Sequence, residues 1–483
     1  MLSIRRHGAL LLAAAGFLLF TFFASYHLSE SPGIWFDEGM FTQTALNLER
    51  YGIQSIQTAP GQLISAGTVT GGFTFIAPIA LLYKLFGPGV LQGRLVMLGF
   101  MLLFAAAAYA FIRKLFGPWC AAWTVLLLSS FAMLYGNGKP VLGEVPGFFF
   151  LMLALLALLW LERSSYRSLG AYATLGLFAG FCIVTKPIFV LLLPAIALAW
   201  LFRFREARLK VAGVALGAVA FLAPLLVWLF MQFRASDSVG TILSFYANPY
   251  QVADLKALLI SNALHFFTDA SALYTLVLIG AWALAALIRR RAREKVSVAE
   301  ATAFLFAVCV VLASLRLPGW NRYLFPATTV ALLFFPFSVV VVYGWISEKL
   351  PRVLRASWIP YAFLTLMILF QFYQVGFSSY VASYYHSNRV EAVQSLTHDI
   401  PDGQSVFVYN VPEVVILLGD HPYYQYLLPD STQQFGQDQF PRLVSGSVDY
   451  VLMGTSDYTA TDPLFASYTP IAHGNRYTLL KKS

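Results

Sequence analysis

Trp35-Phe36-Asp37-Glu38 follows an apolar run from about Ala9 to Leu28, and how it is read decides what kind of chain this is. Two adjacent carboxylates behind two aromatics, a short polar stretch beyond a segment long enough to cross a bilayer, lie at the depth where a lipid headgroup meets water. In a soluble protein the same pair would cap a helix beginning near Gly39, because carboxylates favour helix N-termini. The surrounding sequence favours a reaction site.

Hydrophobic residues make up 59% of the 483, charged residues 11%, and mean hydropathy is +0.69. A soluble domain carries about 25% charged residues, so most of this chain belongs in lipid. The net charge of +9 does not indicate nucleic acid, since the basic residues fall in short clusters between apolar runs and not on one soluble face. Cys120, Cys182 and Cys309 all lie inside apolar runs, which leaves no disulfide framework and no cysteine metal site. Arg5 and Arg6 precede the first apolar run, which is too long for a signal-peptide core and lacks a small-x-small cleavage site. It reads as an uncleaved first span.

Apolar runs near the ~20 residues needed to cross a bilayer occur at about 9–29, 95–112, 117–135, 146–161, 168–185, 187–202, 211–233, 271–288, 299–315, 323–346 and 357–375, which gives eleven expected transmembrane helices. Phe73–Gly87 is apolar but short, holds Pro78 and ends near Lys84. Counting it as a span flips every later loop, so the positive-inside rule can decide. If it lies along the surface, eighteen basic residues gather on one side: Arg5, Arg6, Arg113, Lys114, Arg163, Arg167, Arg203, Arg205, Arg208, Lys210, Arg289, Arg290, Arg291, Arg293, Lys295, Lys349, Arg352 and Arg355. The loops of the other side hold nine. That asymmetry makes Phe73–Gly87 an interfacial helix.

With a cytoplasmic N-terminus and an odd number of spans, the long loops 30–94 and 234–270 and the tail after Gly376 face the extracytoplasmic side of an inner (plasma) membrane. Residues 1–375 form the transmembrane domain and 376–483 a small soluble α/β domain. In the tail the pattern predicts a helix over Asn388–His398 and strands at Ser405–Asn410, Asp449–Met453 and Arg476–Lys481. Turns are expected at Pro401-Asp402-Gly403 and His473-Gly474-Asn475.

Ionisable residues recur where spans meet the extracytoplasmic side: Glu144 before Val145-Pro146, Lys186 in Thr185-Lys186-Pro187, and Arg322 with Tyr323 at the head of the tenth span. A charge retained near a span usually faces a cavity, the plain alternative being a side chain that snorkels to the headgroups. Lys139, in Gly138-Lys139-Pro140, and His265, in the second long loop, are further candidates.

The order of Trp35-Phe36-Asp37-Glu38, Thr70-Gly71-Gly72-Phe73 with the interfacial segment, Arg94, Glu144-Val145-Pro146, Thr185-Lys186-Pro187 and Arg322-Tyr323-Leu324-Phe325-Pro326 resembles the GT-C superfamily of membrane glycosyltransferases. Within it the chain looks like the dolichyl-phosphate-mannose protein mannosyltransferase group, which includes the aminoarabinose transferases acting on lipid A of lipopolysaccharide. The resemblance spans roughly residues 9–375 and implies a polytopic α-helical GT-C-like fold. It implies transfer of a sugar from a polyprenyl-phosphate donor to a glycan, lipid or protein acceptor. By the same resemblance Asp37 and Glu144 are the catalytic acidic residues, with Glu38 as the neighbour of Asp37.

Chemistry adds roles to these residues. A polyprenyl phosphate is a weakly basic leaving group, its second pKa near ~6, so departure needs cations more than an acid. Lys186 and Arg322 suit that task, with Arg94 and His265 behind them and Tyr323 and Lys139 as substrate contacts. A carboxylate must then accept the acceptor's proton, the part assigned to Asp37. No cofactor is implied; Asp37, Glu38 and Glu144 offer oxygens of the kind Mg²⁺ takes, yet the resembled branch generally requires no metal. The alternative reading, a flippase or transporter of a lipid-linked sugar, would favour paired internal repeats, and no such duplication is visible. A reporter active only in the cytoplasm, fused after Ser483, is expected to be silent; activity there contradicts this topology.

Overall fold

The computed structural model describes residues 2–67, 69–202, 209–233, 254–317, 321–349, 355–378, 389–428 and 434–483, together with 240, 252 and 351. Of the second long loop expected at 234–270, residues 234–239, 241–251 and 253 lie outside them. Each of the eleven apolar runs is helical. In chain order the helices are α1 (Leu2–Ser25), α2 (Phe36–Tyr51), α3 (Phe73–Phe86), α4 (Val90–Phe116), α5 (Pro118–Ser129), α6 (Ala132–Gly138), α7 (Glu144–Arg163) and α8 (Leu169–Thr185). They continue with α9 (Leu192–Phe202), α10 (Val211–Gln232), α11 (Leu255–Thr268), α12 (Ala270–Arg291), α13 (Val298–Ser314), α14 (Phe325–Ser347) and α15 (Ile359–Tyr373).

Length divides these runs. Among the described residues seven helices are long and apolar enough to cross a membrane, and α5 with α6 makes an eighth if the pair is one span bent by 66°. The helices over 169–185, 187–202 and 298–314 have only 16 or 17 residues. The helix lengths do not confirm eleven full spans: these three helices are short, and the run at 117–135 breaks at Ser130-Phe131 into a short helix ending at Gly138.

Aromatic side chains fill the bundle core. Phe104, Phe111, Phe148, Phe189, Phe306, Phe325 and Phe334 are fully buried, and the Trp282 indole stacks on Phe334 at 3.8 Å between centroids. Helix α8 packs between α7 and α10, and α1 lies on α5. The outer face is apolar as well: Phe230 of α10 is 88% exposed, as suits a surface that meets lipid. Helix α3 is amphipathic in that sense, with Phe75, Ile76 and Ile79 buried while Leu81, Leu85 and Phe86 point outward.

The Asp37-Glu38 pair does not sit in a loop. Trp35 is extended and the helix starts at Phe36, so both carboxylates occupy the first turn of α2 and complement its dipole. The helix ends where Gly52 takes a left-handed conformation, φ +71°, and donates its N–H to Leu48 O. Residues Glu38 to Asn47 are buried. Thr42 and Thr44 satisfy their hydroxyls on the carbonyls of Glu38 and Met40, and Asn47 donates to Ser55 O at 2.7 Å. Ser55 opens an antiparallel hairpin of β1 (Ser55–Ala59) and β2 (Gln62–Ser65) that the sequence reading did not foresee.

The tail is an α/β domain built on a five-stranded sheet with order β4-β3-β5-β7-β6. Its strands are β3 (Val406–Tyr409), β4 (Tyr423–Tyr426), β5 (Tyr450–Gly454), β6 (Tyr468–His473) and β7 (Tyr477–Lys482). The first three run parallel, and β7 is antiparallel to both β5 and β6. Helices α16 (Arg389–His398) and α17 (Phe440–Val444) complete it. Three strands and the first helix fall within a residue or two of the expectation; β4 and β6 are additional.

This domain rests on α2. Gln425 donates to Gln43 Oε1 at 2.9 Å and to the Gln57 carbonyl, and Arg389 donates to Ile34 O at 2.5 Å. A 3₁₀ turn over Pro412–Leu417 lies against the first turn of α2 so closely that a Cβ on Gly39 would come within 2.2 Å of Glu413 N. Burial pushes the Glu413 carboxyl above its ordinary range, and the Tyr477 hydroxyl donates to it at 3.0 Å. Backbone cannot yield as a side chain does, so Gly39→Ala is expected to loosen the tail from α2 at a cost of about 1–3 kcal/mol. Limited proteolysis in detergent checks this: faster cleavage between the two parts is the expected result, and wild-type protection contradicts so tight an interface.

Candidate active site

Three cation–carboxylate pairs lie near the first two turns of α2, and they differ in how far water reaches them. Arg94 of α4 grips Glu38 with both arms of its fork, Nε to Oε1 at 2.8 Å and Nη2 to Oε2 at 2.7 Å. Its remaining arm donates to Leu28 O at 2.9 Å, and Val141 N donates to Glu38 Oε1 at 3.2 Å. The side chains are 0% and 3% exposed, so the pair is sealed. Arg94, 0% exposed and with each of its three nitrogens donating inside the protein, is not open to a ligand as the sequence reading had it.

Lys139 shares that fate. It is fully buried, and its ammonium donates to Tyr26 O at 2.6 Å. Arg94 and Lys139 thus bind carbonyls of the turn that follows α1, where cations are favoured by the helix dipole. Arg94 holds that turn to the start of α2, and Lys139 holds it to the loop between α6 and α7. His265 is exposed in the last turn of α11, and no contact joins it to these carboxylates. Its neighbour Phe266 packs against Leu324, and Asp269 caps α12.

Of the other two pairs, Arg322–Asp37 is the more open, and Lys186–Glu144 is 16% and 9% exposed. Arg322 Nη1 donates to Asp37 Oδ2 at 2.6 Å, with 26% and 31% of the two side chains exposed. Its guanidinium lies 5.3 Å from the Trp35 ring centroid and 5.4 Å from that of Tyr323. Lys186 donates to Glu144 Oε1 at 2.5 Å, and its ammonium stands 5.7 Å over the Phe41 ring. The second oxygen of Glu144 is buried with no hydrogen-bond partner. Asp37 and Phe41, four residues apart, share one face of α2 about 6 Å apart along the axis. Both open pairs line that face.

Helix ends place the second pair. Glu144 begins α7 and Lys186 follows the last residue of α8, so the positive end of one dipole faces the carboxylate and the negative end of the other faces the ammonium. The α8 end is fixed to α3 by Gly72 N donating to Thr185 O at 3.2 Å and by a 2.7 Å contact between the Thr74 and Thr185 hydroxyls. A Cβ on Gly72 would fall 1.6 Å from Val184 O, so only glycine allows this approach. Sequence reasoning missed Phe41, which a helical reading of Asp37 plus four would have found, and Arg389, whose reach to Ile34 across 355 residues leaves no local signal.

Among the described residues no three acidic, histidine or cysteine side chains converge as a metal site would require. Asp37, Glu38 and Glu144 each turn to a different cation.

A bundle of long apolar helices with a sheet domain seated on α2 is a fold this chain shares with several solved structures. The family model described as dolichyl-phosphate-mannose-protein mannosyltransferase matches residues 73–230. That match covers about a third of the chain, and the likeness to solved structures is one of fold. ArnT from Cupriavidus metallidurans, solved with undecaprenyl phosphate, is 14% identical at a TM-score of 0.65, the alignment covering 98% of this chain and 97% of that one. The oligosaccharyltransferase AglB from Archaeoglobus fulgidus, in complex with an inhibitory peptide and a dolichol-phosphate, is 12% identical at 0.58, covering 93% and 70%. The mycobacterial arabinofuranosyltransferase AftD is 13% identical at 0.51, covering 99% of this chain and 40% of its own. A comparison with curated proteins found no match.

The sealed pair is expected to govern folding. Arg94→Met leaves Glu38 charged and unpaired in the interior, a loss of about 3–5 kcal/mol, whereas an apolar replacement of both partners is far milder. The yield of monodisperse protein after solubilisation checks this. Arg94→Met should nearly abolish it and Glu38→Leu with Arg94→Met should restore part; equal yields for wild type and Arg94→Met contradict the assignment.

Proposed function

We propose that this protein transfers a sugar from a polyprenyl-phosphate carrier to a hydroxyl or amine of a glycan, lipid or protein acceptor on the extracytoplasmic face, inverting the anomeric carbon. The observation that carries this reading is the pair of partly exposed cations, Arg322 on Asp37 and Lys186 over Phe41, that meet one face of α2. Related folds solved with undecaprenyl phosphate and with dolichol-phosphate support the donor class.

In this reading the acceptor oxygen or nitrogen attacks the anomeric carbon, the bond from that carbon to the phosphate oxygen breaks, and the carrier phosphate leaves with one more negative charge. Arg322 and Lys186 stabilise that charge, with Tyr323 beside them. Asp37 takes the proton released by the acceptor. Glu144 orients the acceptor through its unpartnered oxygen, while Glu38 fixes the first turn of α2 without touching substrate. The roles of donor ligand for Arg94 and substrate ligand for Lys139 are withdrawn from this reading because both are sealed. Residues 1–375 carry the reaction, and the tail from 376 to 483 braces α2.

Membranes supplied with polyprenyl-phosphate sugars labelled in the sugar test the reading: label is expected in an acceptor fraction only when the chain is present. Asp37→Asn should lower turnover by about 10²–10⁴-fold, the range for a lost general base. Arg322→Ala and Lys186→Ala should each weaken donor binding by about 1.5–3 kcal/mol, as for a lost charge-assisted hydrogen bond. Wild-type turnover in Asp37→Asn with a dead Glu144→Gln moves the base to Glu144. Absence of transfer from every polyprenyl-phosphate sugar contradicts the proposed function.

A further inference from the structure

Each cation assigned to the donor phosphate is bound in this structure to a carboxylate assigned to the acceptor. Arg322 holds Asp37 and Lys186 holds Glu144. On the reading of the site given above, we propose that these pairs are exchange partners: the donor phosphate takes Arg322 and Lys186, and in doing so it releases Asp37 and Glu144 to the acceptor.

Three features of the geometry support exchange over permanent pairing. Arg322 meets Asp37 through one nitrogen, whereas Arg94 uses both arms of its fork on Glu38. A one-nitrogen bond to Asp37 from an arginine that is a quarter exposed can be competed for, while the sealed fork has no route to a ligand. Each open cation is also backed by aromatic rings, Trp35 and Tyr323 for Arg322 and Phe41 for Lys186. Ring faces hold a cation without neutralising it, so the cation keeps its place when the carboxylate leaves. Finally, Glu144 is buried yet has one oxygen with no partner, so its pairing with Lys186 leaves an acceptor group unmet. An incoming hydroxyl or amine would satisfy it.

The consequence is an order of events. Asp37 Oδ2, bonded to Arg322, is not placed to lift a proton from an acceptor, and it becomes so only after phosphate has drawn the guanidinium away. Donor binding thereby prepares the base, and no covalent step is involved in the exchange itself.

The test is equilibrium binding of a short-chain polyprenyl monophosphate without sugar, followed by Trp35-sensitive fluorescence or by isothermal calorimetry in detergent. A competitor removed should tighten binding: Asp37→Asn and, independently, Glu144→Gln are expected to bind the phosphate roughly tenfold more tightly than wild type. Asp37→Glu, which keeps the charge, should stay near wild type. In an Arg322→Ala background Asp37→Asn should no longer tighten binding, which separates exchange from a general loss of negative charge. Unchanged or weaker binding in both Asp37→Asn and Glu144→Gln, with Arg322→Ala still weakening it, overturns the exchange and leaves the phosphate site standing. Binding that ignores both Arg322→Ala and Lys186→Ala overturns the site itself.

Discussion

The bidentate bond from Arg94 to Glu38 is the constraint on which the rest of the site depends. It ties the first turn of α2 to α4, and through Val141 N and Leu28 O it draws in the loop before α7 and the turn after α1. A buried ion pair offers little net stability, since desolvation offsets the attraction. What it supplies here is direction. With Glu38 turned inward and held at both oxygens, its neighbour Asp37, about 100° round the helix, is left to Arg322 and water.

Two further devices stiffen that arrangement. The tail presses backbone against Gly39, the residue after the two carboxylates, and Arg389 binds the carbonyl of Ile34 just before them. On the opposite side, the end of α8 is joined to α3 at Gly72, so Lys186 is delivered to Glu144 by helix ends that are themselves fixed. A reaction that needs charges placed within a fraction of an ångström is served by such a frame. The aromatic rings of Trp35, Phe41 and Tyr323 lie between frame and cations, which positions charge without removing it.

Much of this was legible in the sequence, for reasons that can be stated residue by residue. Long apolar runs can only be helices in lipid, so the eleven runs, the amphipathic Phe73–Phe86 and the polar tail could be marked out directly. The break at Ser130-Phe131 could not, because hydropathy does not register a bend. The hairpin at Ser55–Ser65 and the strands Tyr423–Tyr426 and Tyr468–His473 are short and gain their order from tertiary contacts. Cations were the weak point. Arg94, Lys139, Lys186 and Arg322 all stand near the ends of apolar runs, and nothing local distinguishes an arginine that meets a buried carboxylate from one that awaits a phosphate. Only burial separates them, 0% for Arg94 against 26% for the Arg322 side chain.

The claim that α2 presents one sealed and two open pairs is tested most directly by determining the structure with a polyprenyl monophosphate bound. The account requires phosphate oxygens within about 2.7–2.9 Å of both Arg322 and Lys186, with the Arg94 fork still closed on Glu38. A phosphate seated on Arg94 or Lys139, or one lying away from the α2 face with Arg322 and Lys186 untouched, would contradict it.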